Sequence, residues 1–198
     1  MNKIIKNTLI LAAITVVSGL VLGAAYEVTK GPIAQTQAKQ KQEACQAVYP
    51  EADSFEAMDV DQKAAKEAKM GTNATVDEVY SAVMDGSEAG YVITVTDKDG
   101  YGGDIQITVG IMSDGTVNGI SFLSISETAG LGMRAKEPSF YNQFAGQQAE
   151  KFYVSKDGGD GQPIDALSGA TITSRAVTGA VNTALGYYQT ALGGSGNE

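Results

Sequence analysis

Asp165-Ala-Leu-Ser-Gly-Ala-Thr-Ile-Thr-Ser174 is the stretch around which the rest of the chain falls into order. It leads into Ser174–Leu192, where Val177, Val181, Leu185 and Tyr188 recur at three- to four-residue spacing. That period predicts a helix with one apolar stripe. Ser and Thr just before such a stripe are good N-caps, because their oxygens accept bonds from the free amides of the first turn. The first turn also favours anions, through unpaired N–H groups and the positive end of the helix dipole. Gly169 lets a ligand approach the backbone closely, and Thr171 offers a hydroxyl. The local chemistry therefore supports two readings: a cluster that only caps a helix, or one that holds a phosphate.

Upstream of this segment the pattern has the period of strands. Ile105, Ile107, Val109 and Ile111 alternate with Gln106, Thr108, Gly110 and Met112, the signature of a half-buried strand. Glu78–Met84, Tyr91–Thr96 and Val117–Ile125 read the same way, separated by Asp85-Gly86, Asp97–Gly100 and Ser113–Gly115. Short turns between neighbouring strands predict an antiparallel sheet. Pro138–Ala145 reads as a short helix burying Phe140, Tyr141 and Phe144, and Asp157–Gly161 as a loop. The fold class expected is α+β.

At the other end, Thr8–Tyr26 is a run of 19 residues without a charge, close to the roughly 20 that span a bilayer. Lys3 and Lys6 before it place the N-terminus in the cytoplasm by the positive-inside rule. A cleaved signal peptide ending near Gly23-Ala24-Ala25 is the rival; the length of the run and the helix-compatible Glu27–Gln42 favour a retained anchor. Ala34–Tyr49 is a helical stalk ended by Pro50, Ala64–Met70 a short helix, and Gly193–Glu198 a polar, mobile end. The boundaries expected are 1–7 cytoplasmic, 8–26 transmembrane, 27–75 stalk and lead-in, 76–192 the folded domain, and 193–198 the tail.

Composition narrows the chemistry. The chain has no His, which removes the commonest general base and transition-metal ligand. With Cys45 alone, neither an intrachain disulfide nor a thiolate cluster for zinc or iron–sulfur can be built. Cys45 reads as a small packing residue, and no metal site is expected. Redox chemistry, if present, needs an organic cofactor. Beyond Lys30 there are 11 basic and 22 acidic residues, a poor balance for nucleic acid, whose binding rests on cationic side chains.

Asp165-x-x-Ser168-Gly169-Ala170-Thr171 resembles the flavinylation motif Asp-x-x-(Ser/Thr)-Gly-Ala-Thr of the FMN-binding domain family. The whole chain resembles the G-subunit family of the Rnf ion-translocating electron-transport complexes, itself related to the C subunits of sodium-pumping NADH:quinone reductases. The resemblance implies that a flavin transferase, using FAD and magnesium, attaches FMN to Thr171 as a phosphoester. Ser168, Gly169, Ala170 and Thr173 would lie against the cofactor, the phosphate being held by first-turn amides with Thr173 or Ser174, and Asp165 would be read by the transferase or fix the loop. Glu127-Thr128-Ala129-Gly130-Leu131-Gly132 is similar to the family's Glu-Thr-Pro-Gly-Leu-Gly loop, so Glu127, Thr128, Gly130 and Leu131 are expected to shape the flavin site. Ala129 stands where relatives carry Pro, which loosens the loop. The His that often precedes this loop in relatives is missing, with Ser124 and Ser126 the nearby polar residues, so no His-dependent role carries over. Tyr101-Gly102-Gly103 is similar to a glycine-rich loop of the same domain.

The function implied is a membrane-anchored covalent flavoprotein, passing electrons within an ion-translocating ferredoxin:NAD⁺ oxidoreductase. It would be an electron-transfer subunit rather than a stand-alone enzyme, with no catalytic residues of its own. Its partners would be the other membrane subunits and, during maturation, the transferase. Two alternatives stay open on the sequence: the same domain in another extracytoplasmic electron chain, and an anchored binding module whose motif only caps a helix.

Overall fold

The computed structural model describes residues 2–68 and 72–193. The chain divides into two compact units, Met1–Lys41 and Gln42–Glu198. From Lys3 to Lys41 the first is part of α1, Lys3–Val48, an unbroken helix of 46 residues. It contains an apolar window with no buried residues, long enough to cross a membrane. The expected anchor and stalk are thus one element, continuous through Gly31-Pro32. Pro32 has no amide to donate, while the Thr29 and Thr36 hydroxyls donate to the carbonyls of Ala25 and Pro32 one turn earlier. The helix stops at Val48, two residues before Pro50.

The second unit is built on a five-stranded antiparallel sheet in chain order: β1 Ser54–Met58, β2 Thr75–Met84, β3 Ser87–Asp97, β4 Ile105–Met112 and β5 Val117–Ser124. Three expected strands are lengthened or trimmed at their ends, and the alternating one spans Ile105–Met112 as predicted. β1 was not anticipated: four of its five residues are exposed, so no alternation marks it. Between β1 and β2 lies α2, Gln62–Glu67, capped by Asp61 Oδ1, which accepts from the Lys63 and Ala64 amides. α2 ends at Glu67 with Ala68 as its C-cap, and the last two residues of the helix expected over Ala64–Met70 lie outside the described residues, as does the tail beyond Gly193.

Two layers cover the sheet. On one face Ile105, Ile107, Val109 and Ile111 of β4 pack with Val177, Val181 and Leu185 of the last long helix, α4, Thr171–Tyr187. α4 is buried almost all round rather than along one stripe. Its outer side meets β6, Phe152–Val154, which pairs in parallel with β7, Gln162–Ile164, while α3, Pro138–Tyr141, packs on β5. α3 is a single turn, shorter than predicted. Asn182 of α4 fastens β6 like a strand neighbour, accepting from the Phe152 amide at 2.8 Å and donating to its carbonyl at 2.9 Å.

On the other face the last turn of α1 is the cover. Cys45, Val48, Tyr49 and Ala52 pack with Ala82 and Val92, and Cys45, 4% exposed, fills the packing role expected of it. Gly110 and Gly119 face each other across β4 and β5 beneath Val48. A Cβ on Gly110 would stand 2.7 Å from the Val48 carbonyl oxygen, and Asn118 Nδ2 donates to that same oxygen at 2.7 Å.

A cleft at the start of the last helix

The motif loop is fixed from both ends before it enters α4. Gln143 takes the Asp165 amide on Oε1 at 2.7 Å and donates through Nε2 to the Asp165 carbonyl at 3.3 Å. The Asp165 carboxylate accepts from the Ser155 hydroxyl at 3.2 Å. At the far end Ser174 Oγ accepts from the Leu167 amide at 3.0 Å and donates to the Ala170 carbonyl at 2.9 Å. Gly169 turns between them with φ +77°, a conformation that favours glycine.

This arrangement reverses the expected capping. The N-cap is Ala170, and no side chain caps the helix. The hydroxyl-bearing residue that manages the turn is Ser174, from inside the first turn. It is fully buried and committed to Leu167 and Ala170, so it is no phosphate contact. The first amides of α4 have no intrahelical acceptor and no side-chain cap. Half-buried Thr171 is the first residue of the helix.

Beside this helix start is a cleft of about 500 Å³, lined by Tyr101, Glu127, Thr128, Leu131, Gly132 and the run Gly169–Thr173. Gly169, Ala170, Thr171, Thr173, Glu127, Thr128 and Leu131 are therefore brought together as the sequence suggested. Ser168 and Gly130 sit on the adjoining loops, exposed and outside the lining. Gly130, φ +74°, turns the loop that presents Leu131, and the Leu131 and Met133 amides both close on the Thr128 carbonyl. Asp165 is also outside the cleft, at the loop anchor. Tyr101, Gly132 and Ile172 complete the lining and were not singled out as ligand contacts.

The Glu127 carboxylate is the polar feature of one wall. Its Oε1 accepts from the Gly102 amide at 3.2 Å, and glycines surround it. A Cβ on Gly132 would stand 2.6 Å from both Glu127 Oε2 and Thr173 Oγ1; one on Gly100 would stand 3.0 Å from Glu127 Oε1. One on Gly102 would meet the Ser126 carbonyl oxygen at 2.0 Å. The apolar walls are Tyr101, Leu131 and Ile172, which are 70%, 43% and 46% exposed. Large apolar side chains left open around a cleft suit a flat, largely apolar ligand. Open helix amides at one end of that cleft suit its anionic group. The residues present thus fit FMN.

Residues 100–186 match the FMN-binding domain family, and residues 1–48 match the RnfG N-terminal region. The chain is 36% identical over 195 residues to the G subunit of the Na(+)-translocating ferredoxin:NAD(+) oxidoreductase complex of Acetobacterium woodii, covering 94% of this chain and 92% of that one. It is 33% identical over 193 residues to the G subunit of the proton-translocating ferredoxin:NAD(+) oxidoreductase complex of Clostridium ljungdahlii, covering 98% and 96%. The crystal structure of Shewanella oneidensis NqrC is similar with a TM-score of 0.47 and 24% identity, over 71% of this chain and 69% of that one. Long apolar helix, sheet, glycine-walled cleft and closing motif all fall inside alignments of nearly full length, and the chain belongs to the G-subunit family of the Rnf ion-translocating ferredoxin:NAD(+) oxidoreductase complexes.

Proposed function

We infer that the protein is a membrane-anchored flavoprotein subunit, bearing FMN on Thr171 through a phosphoester and carrying electrons within an Rnf-type oxidoreductase coupled to ion translocation. The observation that supports this most is the position of Thr171. It stands at the uncapped start of α4, inside the cleft, with the motif loop held in place by Gln143, Ser155 and Ser174. FMN would supply one- and two-electron transfer.

The chain's own residues hold and orient. The first amides of α4 and the helix dipole would favour the anionic phosphodiester. Thr173, buried and lining the cleft, stands beside Glu127 where the two crowd Gly132. Tyr101, Leu131 and Ile172 would cover the ring system and limit water, while Glu127 and Thr128 give one wall its polar edge. A Thr hydroxyl is a weak nucleophile without a base. No His exists in this chain, and the family resemblance implies that the transferase supplies the base.

The long apolar helix is the membrane anchor in this reading. Lys3 and Lys6 hold its N-terminus in the cytoplasm, and the sheet domain is extracytoplasmic. Partners are the other membrane subunits and, transiently, the flavin transferase. The deciding experiment is the intact mass of the full chain co-expressed with a flavin transferase, followed by peptide mapping. FMN minus one water on the peptide containing Thr171 is the expected result. An unmodified mass, with a control substrate flavinylated by the same transferase, overturns the reading.

A further inference from the structure

Arg175 follows Thr171 by one turn of α4, and residues four apart share a helix face with Cβ atoms about 5–6 Å apart. Its guanidinium is already oriented. Nε donates to Asp157 Oδ2 at 2.7 Å, and Nη2 donates to Asp157 Oδ1. Asp157 is itself tied down by its amide, which donates to the Val154 carbonyl at the end of β6. A guanidinium has five N–H donors, and the fork to Asp157 occupies only the Nε–Nη2 edge.

The charge around it is one-sided. A second cleft of about 290 Å³ is lined by Thr72, Asp97, Asp99, Ile172, Arg175 and Ala176. It shares Ile172 with the larger cleft, and among the described residues Arg175 is the one basic side chain lining either. A phosphodiester on Thr171 would add a negative charge one turn from Arg175, whose own surroundings carry the carboxylates of Asp97, Asp99 and Asp157. The cation on the same helix face as that new charge is Arg175.

We propose that Arg175 binds the phosphodiester at Thr171 through its Nη1 edge while Asp157 holds the opposite edge and sets its direction. Asp157 is then a positioning residue, and the Arg175 side chain is part of the phosphate site. This role presupposes FMN on Thr171.

The sequence contains two arginines, Arg134 and Arg175, so the guanidinium region of a nitrogen-15 spectrum has two Nε–H signals to assign, with Arg134→Lys identifying one. The experiment compares the full chain in detergent with and without the transferase step, the modification being checked by peptide mass. The Arg175 Nε–H resonance is expected to shift on flavinylation while that of Arg134 stays. In a second measurement, the phosphorus-31 resonance of the diester in Arg175→Gln moves toward its value in urea, and Arg175→Lys restores most of the difference. FMN on Thr171 with an unmoved Arg175 signal overturns the proposal alone, whether or not Arg175→Gln accepts flavin. An unmodified Thr171 in the wild-type chain overturns the site reading and this role with it.

Discussion

Gly132 has no space for a side chain. Its Cβ would stand 2.6 Å from Glu127 Oε2 and from Thr173 Oγ1, so Gly132→Ala must displace one wall of the cleft or the start of α4. Overpacking of this kind costs about 1–3 kcal/mol. We expect Gly132→Ala to lower the urea midpoint of the full chain in detergent and to reduce FMN incorporation, read as the ratio of flavin to protein absorbance. Thr171→Ala should separate the two effects. The site is half-buried at a helix start, so stability should change by about 0.5 kcal/mol or less, while covalent flavin falls to zero by mass. The cleft-lining positions that the sequence makes legible are those with a motif around them: Thr171, Gly169, Glu127 and Leu131. Gly132 belonged to the same stretch, but its crowding comes from Thr173, far along the chain. Ile172 was hidden by its type, since an apolar residue beside a motif reads as core. Ser174 departs from its expected role for a related reason. A hydroxyl near a helix start suggests a ligand contact, and only the fold shows it turned inward to Leu167.

At the scale of elements, α4 begins as it does because Ser174 ties down the loop before it. Ser174→Ala removes the acceptor for the Leu167 amide and the donor to the Ala170 carbonyl. The Ala170 carbonyl keeps the Ser174 amide, but leaving the buried Leu167 amide unpaired costs about 1–3 kcal/mol. The expected outcome is a lower unfolding midpoint and faster amide exchange at Leu167 and Ala170, with exchange in β3 and β4 unchanged below the global limit. Elements with many residues and a clean period were legible: β4 was found by its alternation, and α4 by its three-to-four spacing. β6 and β7 escaped because three residues carry no period, and their pairing depends on the Asn182 amide reaching Phe152 from another element. β1 escaped because an exposed edge strand has no buried face to alternate with.

At the scale of the molecule, stability should depend on pH through Asp97. It is 1% exposed, and burial pushes its carboxyl above the usual range, with Asp99 and Asp104 adding to the push against the hydrogen bond from the Asp99 amide. Below the unfolded value, about 3.9, both folded and unfolded chains hold the proton and no penalty exists. As pH rises through the higher folded value, the fold must ionise a buried group, and stability is lost. Asp97→Asn keeps an acceptor for the Asp99 amide without that charge. Its urea midpoint should therefore gain on the wild type as pH is raised from the acid range to neutrality, and a difference independent of pH would contradict this account.

Cys45 has a practical consequence. It is the sole thiol in the sequence and is shut in the core between the end of α1 and the sheet. The native protein is therefore a silent background for thiol reagents. A cysteine placed at exposed Ser87 or at exposed Asn2 becomes the reporter without any need to remove another. With a membrane-impermeant maleimide on intact cells, Ser87→Cys should label and Asn2→Cys should label only after lysis; the reverse pattern would invert the topology proposed for the anchor. The same two probes give each face of the membrane its own handle, so that conformational changes during turnover can be followed by fluorescence in a working complex.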